Sequence, residues 1–281
     1  MTGSHGFVGT NLLDILSVEH EIIRWNVRED KVLPDCDVVI HLAGLAHDTK
    51  HTTEDKEFLY ANTELTKKLY DRFLESGAKK FIFFSSIKAQ DGDTAYARSK
   101  YLAEQYIKEV RIEEGSRRIY ILRPCMIHGK GNKGNLNLLV KWVKKGWPWP
   151  LAAFENKRSF ASMENVAFVV SELLKKDIGS GTYNICDDEA VSTNELIELI
   201  CECLSKKTHF WRIPKGLMIT FARIGNVLHL PLNTERLEKL TENYIVDNRK
   251  TKFALGIKIM PVDVIEGLQR TIQSMINDKR K

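Results

Sequence analysis

Four consecutive apolar residues, Phe81 to Phe84, constrain the fold of this 281-residue chain more than any other feature. A short unbroken apolar run is typical of a strand that is buried on both faces, as in a parallel sheet covered by helices. Two further runs, Val38 to Leu42 and Arg118 to Leu122, have the same character. Helical patterns separate the runs, so the sequence predicts an α/β chain built on a parallel sheet.

The residues that follow the first of these runs can carry acid–base chemistry. The run ends in two hydroxyls, Ser85 and Ser86, and Tyr96 and Lys100 stand further along the chain. If Thr94 caps a helix there, the four-residue spacing puts the phenol and the ammonium on one face. Because a nearby cation favours the phenolate, we expect Lys100 to lower the pKa of Tyr96 from its ordinary value of about 10. Taken alone, such a pair more often belongs to a solvated helix face.

Three glycines stand at the start of the chain, Gly3, Gly6 and Gly9 in T-G-S-H-G-F-V-G. A glycine loop of this kind lets a pyrophosphate approach the N-terminus of the helix that follows. In dinucleotide-binding folds a central strand leads into the loop, but here only Met1 and Thr2 precede Gly3. We therefore expect the first strand to lie upstream of Met1 in a longer natural chain. The alternatives are that another segment fills its place or that the second and fourth strands pair directly.

Together, the glycine loop, the run D-V-V-I-H-L-A-G over residues 37–44 and the Ser86, Tyr96 and Lys100 set resemble the extended short-chain dehydrogenase/reductase family, of the NAD-dependent epimerase/dehydratase type. The likeness is strongest to the branch that acts on nucleotide sugars, the 4-epimerases and 4-ketoreductases. It implies a Rossmann-like, doubly wound parallel sheet with a smaller C-terminal substrate lobe. The implied division is a dinucleotide-binding domain over 1–130 and a substrate-binding lobe over 131–281, interleaved with the last elements of the sheet.

The resemblance also implies catalytic roles. Tyr96 would move the hydroxyl proton at a ring carbon of the sugar, with C4 favoured, Lys100 would hold the nicotinamide ribose, and Ser86 would bond the reacting oxygen. Dehydratases of the family carry an acid pair directly after the strand-end hydroxyl. Ile87 and Lys88 stand there in this chain. An epimerase or ketoreductase of surface polysaccharide or sugar-nucleotide metabolism is therefore expected.

The expected cofactor is NADP or NAD. In this family an acid usually ends the second strand, which the pattern predicts over residues 21–27, and binds the adenosine ribose. Asn26 stands there instead, and the neighbouring Arg28 can pair with a 2′-phosphate, so NADP is slightly favoured; the alternative is a solvated arginine. The residues expected to bind cofactor are Gly3, Gly6, Phe7, Gly9, Asn26, Arg28, Leu42, Ala43, Gly44, Asn62, Tyr96 and Lys100.

The expected substrate is a nucleotide sugar, with a UDP-sugar favoured. Asn135 in G-N-L and Arg158 in N-K-R-S-F match positions that meet the diphosphate in relatives, and Ser86 completes the expected substrate contacts. A guanidinium suits this task because its fork bonds phosphate oxygens from fixed directions, although a surface ion pair is the alternative. The segment R-P-C-M-I-H-G-K-G resembles a family loop that borders both ligands, with His128 where many members carry tyrosine. For His41, within an apolar run, a structural role is favoured over that of a ligand.

Composition and charge bear on the location of the protein and on whether it binds nucleic acid or a metal. No apolar window reaches the roughly 18 residues of a membrane span, and no signal sequence is evident, so we expect a cytoplasmic protein without a membrane span. A net charge of +5 is mild and indicates no nucleic-acid partner. The five cysteines are odd in number and lack zinc-like spacing, so we expect reduced thiols and no metal.

Two questions stay open at this point. The oligomeric state is not determined, and a homodimer is one alternative. A hypothesis from another class is a non-catalytic NADP-binding scaffold or redox sensor of the same fold. The missing first strand and the missing acid favour the scaffold, whereas the intact Ser86, Tyr96 and Lys100 favour the enzyme.

Overall fold

The computed structural model describes residues 1–29, 32–46, 54–110, 117–132, 134–228 and 232–277. The chain forms two compact units. The first consists of Met1–Cys125, Met163–Cys186 and Asp247–Pro261, and the second of Met126–Ser162, Asp187–Val246 and Val262–Lys281. Each unit is therefore assembled from three separate stretches of chain.

Strands and helices alternate along most of the chain. The strands are β1 (Val38–His41), β2 (Lys80–Phe84), β3 (Arg118–Pro124), β4 (Met126–His128), β5 (Arg158–Ser162), β6 (Gly181–Ile185) and β7 (Ala190–Val191). The α-helices are α1 (Phe7–Leu16), α2 (Asp55–Leu59), α3 (Leu65–Glu75), α4 (Ala95–Glu109), α5 (Leu136–Lys144), α6 (Met163–Lys175), α7 (Thr193–Cys203), α8 (Lys215–Val227), α9 (Thr234–Thr241), α10 (Arg249–Leu255) and α11 (Val264–Asn277). A π-helical turn, Tyr60–Glu64, joins α2 to α3, and a 3-10 turn, Ile87–Gln90, follows β2.

The first unit is built on a parallel sheet in the order β1-β2-β3-β6. In its register Ile40 lies opposite Ile82, and Ile82 lies opposite Tyr120. Phe81, Ile82 and Phe83 are completely buried, as the apolar run predicts for a strand covered on both faces. The prediction of an α/β fold with a parallel sheet is confirmed.

The start of the chain differs from the prediction in one respect. Residues 21–26 form no regular strand, so the predicted second strand over 21–27 is wrong. The physical reason is that isolated bonds rather than a ladder join this segment to its neighbour: the Trp25 amide donates to the Met1 carbonyl (3.0 Å), while Thr2 donates its amide to the Ile40 carbonyl of β1 (2.9 Å). Thr2 also pairs in parallel with His41. These two residues lead the chain into Gly3 beside the carboxyl end of β1.

The second unit contains a smaller mixed sheet, in which β4 runs parallel and β7 antiparallel to β5. Its hydrophobic core includes Val140 of α5, Ile200 of α7 and Leu268 of α11, all buried. Two isolated bridges lie outside this sheet, Phe210 with Trp149 and Arg212 with Leu151. Among the described residues, no helix has the length and apolar character needed to cross a membrane.

The N-terminus of α7 is closed by a capping box. The Ser192 hydroxyl accepts from the Glu195 amide (3.0 Å), and the Glu195 carboxylate accepts from the Ser192 amide (2.7 Å). Both bonds satisfy amides that a helix leaves without intrahelical partners. The cap therefore fixes where α7 begins.

Replacing the cap hydroxyl should lower the stability of the protein measurably. We expect Ser192→Ala to reduce the free energy of unfolding by about 1 kcal/mol, because one amide at the helix start loses its acceptor. Urea denaturation followed by circular dichroism measures the change. Glu198→Ala, an exposed position on the same helix, is the control and should change stability by less than about 0.5 kcal/mol. Equal effects of the two substitutions would contradict the role of the cap.

Candidate active site

The glycine loop lies directly against the end of β1. Gly3 has a φ of +67°, and a Cβ there would stand 2.5 Å from the Ala43 nitrogen and 2.7 Å from the Leu42 carbonyl carbon. A Cβ on Gly9 would stand 2.2 Å from the Gly3 oxygen. Neither position can hold a side chain without moving backbone atoms. The expected cofactor residues of the loop and of the β1 end are thus brought together.

The first helix begins at this loop. Gly6 is its N-cap and supplies no side-chain hydrogen bond, Phe7 is its first residue, and no acidic residue lies in its first turn. The amides at such an end carry partial positive charge and point away from the helix, which favours an anion. The loop therefore fits the pyrophosphate of a dinucleotide.

A buried histidine ties the chain start to the helix that follows β1. The Thr2 hydroxyl lies 2.7 Å from His41 Nδ1, and His41 Nε2 lies 2.9 Å from the Thr66 hydroxyl. Thr66 donates to the Asn62 carbonyl, so it accepts from His41, and the proton of a neutral ring lies on Nε2. Complete burial, with the nearby Lys100 charge, lowers the pKa of His41 to about 3. These contacts support the structural role expected for His41.

Asn62 braces the loop after β1 against α4. Its amide oxygen accepts from the Leu45 amide (2.8 Å), and its nitrogen donates to the Leu45 carbonyl (3.0 Å) and to the Ser99 hydroxyl (2.9 Å). A Cβ on Gly44 would stand 2.5 Å from the Asn62 oxygen and 3.2 Å from Lys100 Nζ. Asn62 lies in the π-helical turn, a distortion often found at functional sites that the sequence pattern did not reveal.

Ser86, Tyr96 and Lys100 come together where β2 ends and α4 begins. Thr94 caps α4, its hydroxyl accepting from the Ala97 amide at 3.1 Å, so Tyr96 lies in the first turn of the helix as expected. The Ser86 hydroxyl lies close enough to the Tyr96 phenol to favour its ionised form. Lys100 is buried and donates to the Phe84 carbonyl at 2.8 Å. A hydroxyl, a phenol and an ammonium thus surround the end of β2.

The expectation that the pKa of Tyr96 is lowered is wrong, because its pKa is raised. Burial raises the pKa of Tyr96, and the nearby Ser86 hydroxyl offsets this only in part. Burial also lowers the pKa of Lys100 to about 8, against the opposing charge of Glu104. In this structure the desolvation of the phenol therefore outweighs any help from the ammonium.

Below Lys100 lies a charged network that sequence reasoning missed. Glu104 is completely buried and accepts from the Ser85 hydroxyl (2.6 Å), from Arg123 through two bonds (2.8 and 2.5 Å) and from Lys108 (3.0 Å). Burial alone would raise the pKa of Glu104, but these donors lower it. The signal was available, since Glu104 follows Lys100 by one helical turn on the same face as Tyr96.

The expected ribose site lies in the exposed turn after residue 25. The Asn26 amide oxygen accepts from the Arg28 backbone amide (3.1 Å), and its nitrogen donates to the Glu29 carboxylate (3.1 Å). The Arg28 side chain is exposed and lines a cleft of about 410 Å³ with Tyr60 and Asp71, among other residues. This turn carries the Glu29 carboxylate as well as Arg28. The absence of an acid at residue 26 therefore does not mean that the expected ribose site lacks a carboxylate.

The two expected diphosphate ligands lie in the second unit. Asn135 is the exposed N-cap residue of α5. Arg158, on β5, donates to the Lys239 carbonyl, and its Nη2 lies 3.4 Å from Oε1 of Glu242. It therefore forms an ion pair, the alternative to diphosphate binding named above. Its Nε is buried with no hydrogen-bond partner among the described residues, and burial lowers the pKa of Arg158.

His128 is enclosed within the same unit. It is buried, 2.9 Å from the Thr271 hydroxyl through Nδ1 and 3.4 Å from the Asp187 carboxylate through Nε2. Across the described ranges no three His, Cys, Asp or Glu side chains gather as a metal site would require. The five cysteines are free thiols.

Comparison with known proteins identifies the family. Residues 1–186 match the NAD dependent epimerase/dehydratase family. The chain belongs to this family. A UDP-glucose 4-epimerase of Vibrio cholerae is 29% identical over 98% of this chain and 94% of its own length. An N-acetyl-alpha-D-glucosaminyl-diphospho-ditrans,octacis-undecaprenol 4-epimerase of Escherichia coli O157:H7 is 24% identical over 97% and 93%.

Solved structures of the family share the fold. A UDP-glucuronic acid 4-epimerase from Bacillus cereus, in complex with NAD, superposes with a TM-score of 0.73 and 17% identity, covering 98% of this chain and 97% of that one. RMD from Pseudomonas aeruginosa, complexed with NADPH, gives 0.68 and 20% identity, covering 97% and 96%. The Rossmann-like fold predicted from the motifs is confirmed, and its neighbours contain either nicotinamide cofactor.

Removing the buried carboxylate should test the network below Lys100. We expect Glu104→Gln to lower the free energy of unfolding at pH 7 by at least about 2 kcal/mol, because Arg123 loses its anionic partner. The folded-state pKa of Glu104 lies below its ordinary value of 4.5, so its contribution is complete above 4.5 and disappears as the pH falls through the folded pKa. Urea denaturation at several pH values should show the difference from wild type shrinking in acid.

A matched control for that experiment lies at the end of the same helix. Glu109→Gln removes an exposed carboxylate from α4 and should leave stability within about 0.5 kcal/mol of wild type. A Glu104→Gln protein as stable as this control would show that Glu104 contributes nothing to the fold.

Substitution of Arg28 should distinguish the two cofactors. We expect Arg28→Ala to weaken NADPH binding by about tenfold or more and NADH binding much less, since only NADPH carries the 2′-phosphate. Fluorescence titration of both cofactors measures the two dissociation constants. Arg24→Ala, at the other exposed arginine of this segment, is the control. Equal losses for both cofactors in Arg28→Ala would mean that Arg28 does not contact the phosphate.

Proposed function

We propose that this protein is an NAD(P)-dependent epimerase or ketoreductase that acts at a ring carbon of a sugar diphosphate, with C4 of a UDP-sugar favoured. The observation that carries the proposal is the meeting of Ser86, Tyr96 and the buried Lys100 where β2 ends and α4 begins. These are the residue types that proton transfer at a carbinol requires. Membership of the NAD dependent epimerase/dehydratase family supports this class of reaction.

The residues present fit a nicotinamide dinucleotide. The glycine loop and the start of α1 would hold the pyrophosphate, the Asn26–Arg28 turn the adenosine ribose, and Gly44, Asn62 and Lys100 the nicotinamide half. When bound, the oxidised nicotinamide would supply an acceptor for the hydrogen and electron pair of the ring carbon, and a positive charge that favours the Tyr96 phenolate. NADP keeps a slight preference because of Arg28.

Tyr96 moves the proton of the sugar hydroxyl. As a phenolate it takes that proton while the carbon–oxygen bond becomes a carbonyl, and as a phenol it returns the proton when the carbonyl is reduced again. Ser86 donates to the reacting oxygen and so stabilises the charge that develops there. If hydrogen returns to the opposite face of the ring, the configuration at that carbon is inverted, which is epimerisation. If the protein instead binds a keto sugar and reduces it, the net reaction is ketoreduction.

Lys100 holds the charge beneath the site. Its ammonium bonds the Phe84 carbonyl and lies 4.9 Å from the centre of the Phe83 ring. With a pKa of about 8 it is largely protonated at neutral pH. The Glu104 carboxylate opposes the loss of that proton, so the network of Glu104, Arg123 and Ser85 keeps Lys100 cationic.

The carrier of the sugar is either a nucleotide or a lipid. The Vibrio cholerae relative is named for UDP-glucose, and the Escherichia coli relative for a sugar on an undecaprenyl diphosphate. Both carriers present a diphosphate to the protein. Arg158 has a buried Nε without a partner among the described residues, and we assign its guanidinium to that diphosphate. UDP-linked and undecaprenyl-diphospho-linked N-acetylglucosamine, offered separately, distinguish the carriers.

The phenol of Tyr96 is the decisive group to remove. We expect Tyr96→Phe to lower turnover of UDP-glucose or UDP-N-acetylglucosamine at least about 100-fold while NADPH and NADH still raise the melting temperature, because only the phenolic oxygen is lost. Nuclear magnetic resonance of the sugar follows epimer formation. Tyr101→Phe, which removes an exposed phenol from the same helix, is the control and should keep wild-type turnover.

Two outcomes would contradict the proposal. A Tyr96→Phe protein with the wild-type rate would remove Tyr96 from the chemistry. Wild-type protein that binds NADPH but turns over neither UDP-linked nor lipid-linked sugars would favour the non-catalytic scaffold. The raised pKa of Tyr96 is the observation that favours this second candidate.

A further inference from the structure

Ser99 lies between the two expected catalytic residues of α4 and is completely buried. Its hydroxyl donates to the Tyr96 carbonyl at 2.8 Å. In an α-helix that carbonyl is also the acceptor for the amide of residue 100, so the bond lies in the turn that holds both Tyr96 and Lys100. A serine that bonds back to its own helix is common, and a role beyond the helix requires further contacts.

Such contacts come from the π-helical turn Tyr60–Glu64. The Asn62 side-chain nitrogen donates to the Ser99 hydroxyl (2.9 Å), and the Thr63 hydroxyl donates to the Ser99 carbonyl (2.8 Å). Asn62 and Thr63 are both buried. Two consecutive residues of one turn therefore bond the side chain and the main chain of a single residue of α4.

The direction of each bond in this chain of contacts is determined by the groups at its ends. The Leu45 amide can only donate and the Leu45 carbonyl can only accept, which places the oxygen and the nitrogen of the Asn62 side chain. The second N–H of that nitrogen is directed to the Ser99 hydroxyl. Since the Tyr96 carbonyl can only accept, the hydroxyl proton of Ser99 points to it. The contacts thus run from Leu45 through Asn62 and Ser99 to Tyr96.

We propose that Ser99 is a positioning residue, whose hydroxyl couples the loop at Leu45 to the turn of α4 that holds Tyr96. Gly44 and Asn62 are the residues assigned above to the nicotinamide half of the cofactor, and a Cβ on Gly44 would stand 2.5 Å from the Asn62 oxygen. The coupling therefore aligns the phenol with the cofactor. Its effect on turnover rests on the proposed function, whereas the coupling itself does not.

A purely structural role for Ser99 makes a different prediction. Removal of its hydroxyl leaves an Asn62 N–H without its acceptor, which lowers stability whatever the function of the site. Loss of stability is therefore not the test. A positioning role predicts in addition that Ser99 and Asn62 act on turnover through the same contact, so that the effects of their removal do not add.

A double-mutant cycle with wild type, Ser99→Ala, Asn62→Ala and the double variant measures this. We expect Ser99→Ala to lower kcat for UDP-glucose or UDP-N-acetylglucosamine by about tenfold or more and to change KM by less than about threefold, because misplaced reacting groups cost rate more than binding. In the Asn62→Ala background, the same substitution should lower kcat by less than about threefold.

A matched control lies in α11 of the second unit. The Ser274 hydroxyl donates to the carbonyl three residues before it, that of Thr271 (2.7 Å), as the Ser99 hydroxyl does in α4. Ser274→Ala should therefore keep the wild-type kcat. Thermal melting shows whether each variant is folded. Ser99→Cys, which keeps the size of the side chain with a much weaker donor, supplies the test if the alanine variant does not fold.

Hydrogen exchange at Leu45 gives a readout that needs neither sugar nor cofactor. The Leu45 amide donates to the Asn62 oxygen (2.8 Å), so its exchange rate reports on how firmly Asn62 is held. We expect Ser99→Ala to accelerate this exchange by about tenfold or more, with a smaller change at the amides of β3, and Ser274→Ala to leave it unchanged.

The results separate this inference from the proposed function. Wild-type turnover with an unchanged kcat in Ser99→Ala would overturn the inference and leave the proposed function intact, and so would additive effects of Ser99→Ala and Asn62→Ala on kcat. Unchanged exchange at Leu45 in Ser99→Ala would also overturn it. Faster exchange at Leu45 in a protein that turns over no sugar would support the coupling and overturn the proposed function.

Discussion

The parallel pairing of β1 with β2 is the constraint on which the candidate site depends. Parallel strands end at the same edge of a sheet, so the residues that follow them are neighbours without any further device. Here that edge collects Leu42 to Gly44 after β1 and Ser85 and Ser86 after β2. Gly3 reaches the same edge because Thr2 pairs with His41. The bulk of Phe81 to Phe84, buried on both faces, holds β2 in this register.

Buried polar groups then convert this edge into a site with defined charges. His41 stays neutral because burial makes its protonation costly, and both of its nitrogens have hydroxyl partners. Lys100 stays charged because its pKa of about 8, lowered by burial from 10.5, still lies above neutral pH, and the Glu104 carboxylate on the next turn of α4 favours the ammonium. Desolvation acts on both groups, but histidine starts from an ordinary pKa of 6.5.

Much of this arrangement could be predicted from the sequence, and the failures have physical causes. The strand Lys80–Phe84 and the Thr94 cap depend on local pattern and were found. The Ser86, Tyr96 and Lys100 set was predicted from the family resemblance; the structure brings the three residues together, and their catalytic roles stay a prediction. Residues 21–26 form no regular strand because isolated bonds, such as that from the Trp25 amide to the Met1 carbonyl, take the place of a ladder, and the hydrophobicity of the segment does not show this.

Long-range partners account for the other failures. The spacing within α4 places Glu104 on the face of Tyr96 and Lys100, but its partner Arg123 comes from β3, and no pattern within either segment shows that the two side chains meet. The π-helical turn at Asn62 has the composition of an ordinary helix and is recognised only from its hydrogen bonds. The Lys239 and Glu242 partners of Arg158 come from a distant part of the chain, so a match to a family motif could not show them.

The direction of the Tyr96 pKa links proton transfer to the bound cofactor. Burial holds the phenol protonated, and Lys100, engaged with the Phe84 carbonyl, does not reverse this. A phenol that does not ionise by itself ionises more readily when a second positive charge enters its surroundings. The low local dielectric strengthens the attraction between that charge and the phenolate. The site is thus built so that Tyr96 would ionise most readily with an oxidised nicotinamide in place, which ties proton transfer to the bound cofactor rather than to the free protein.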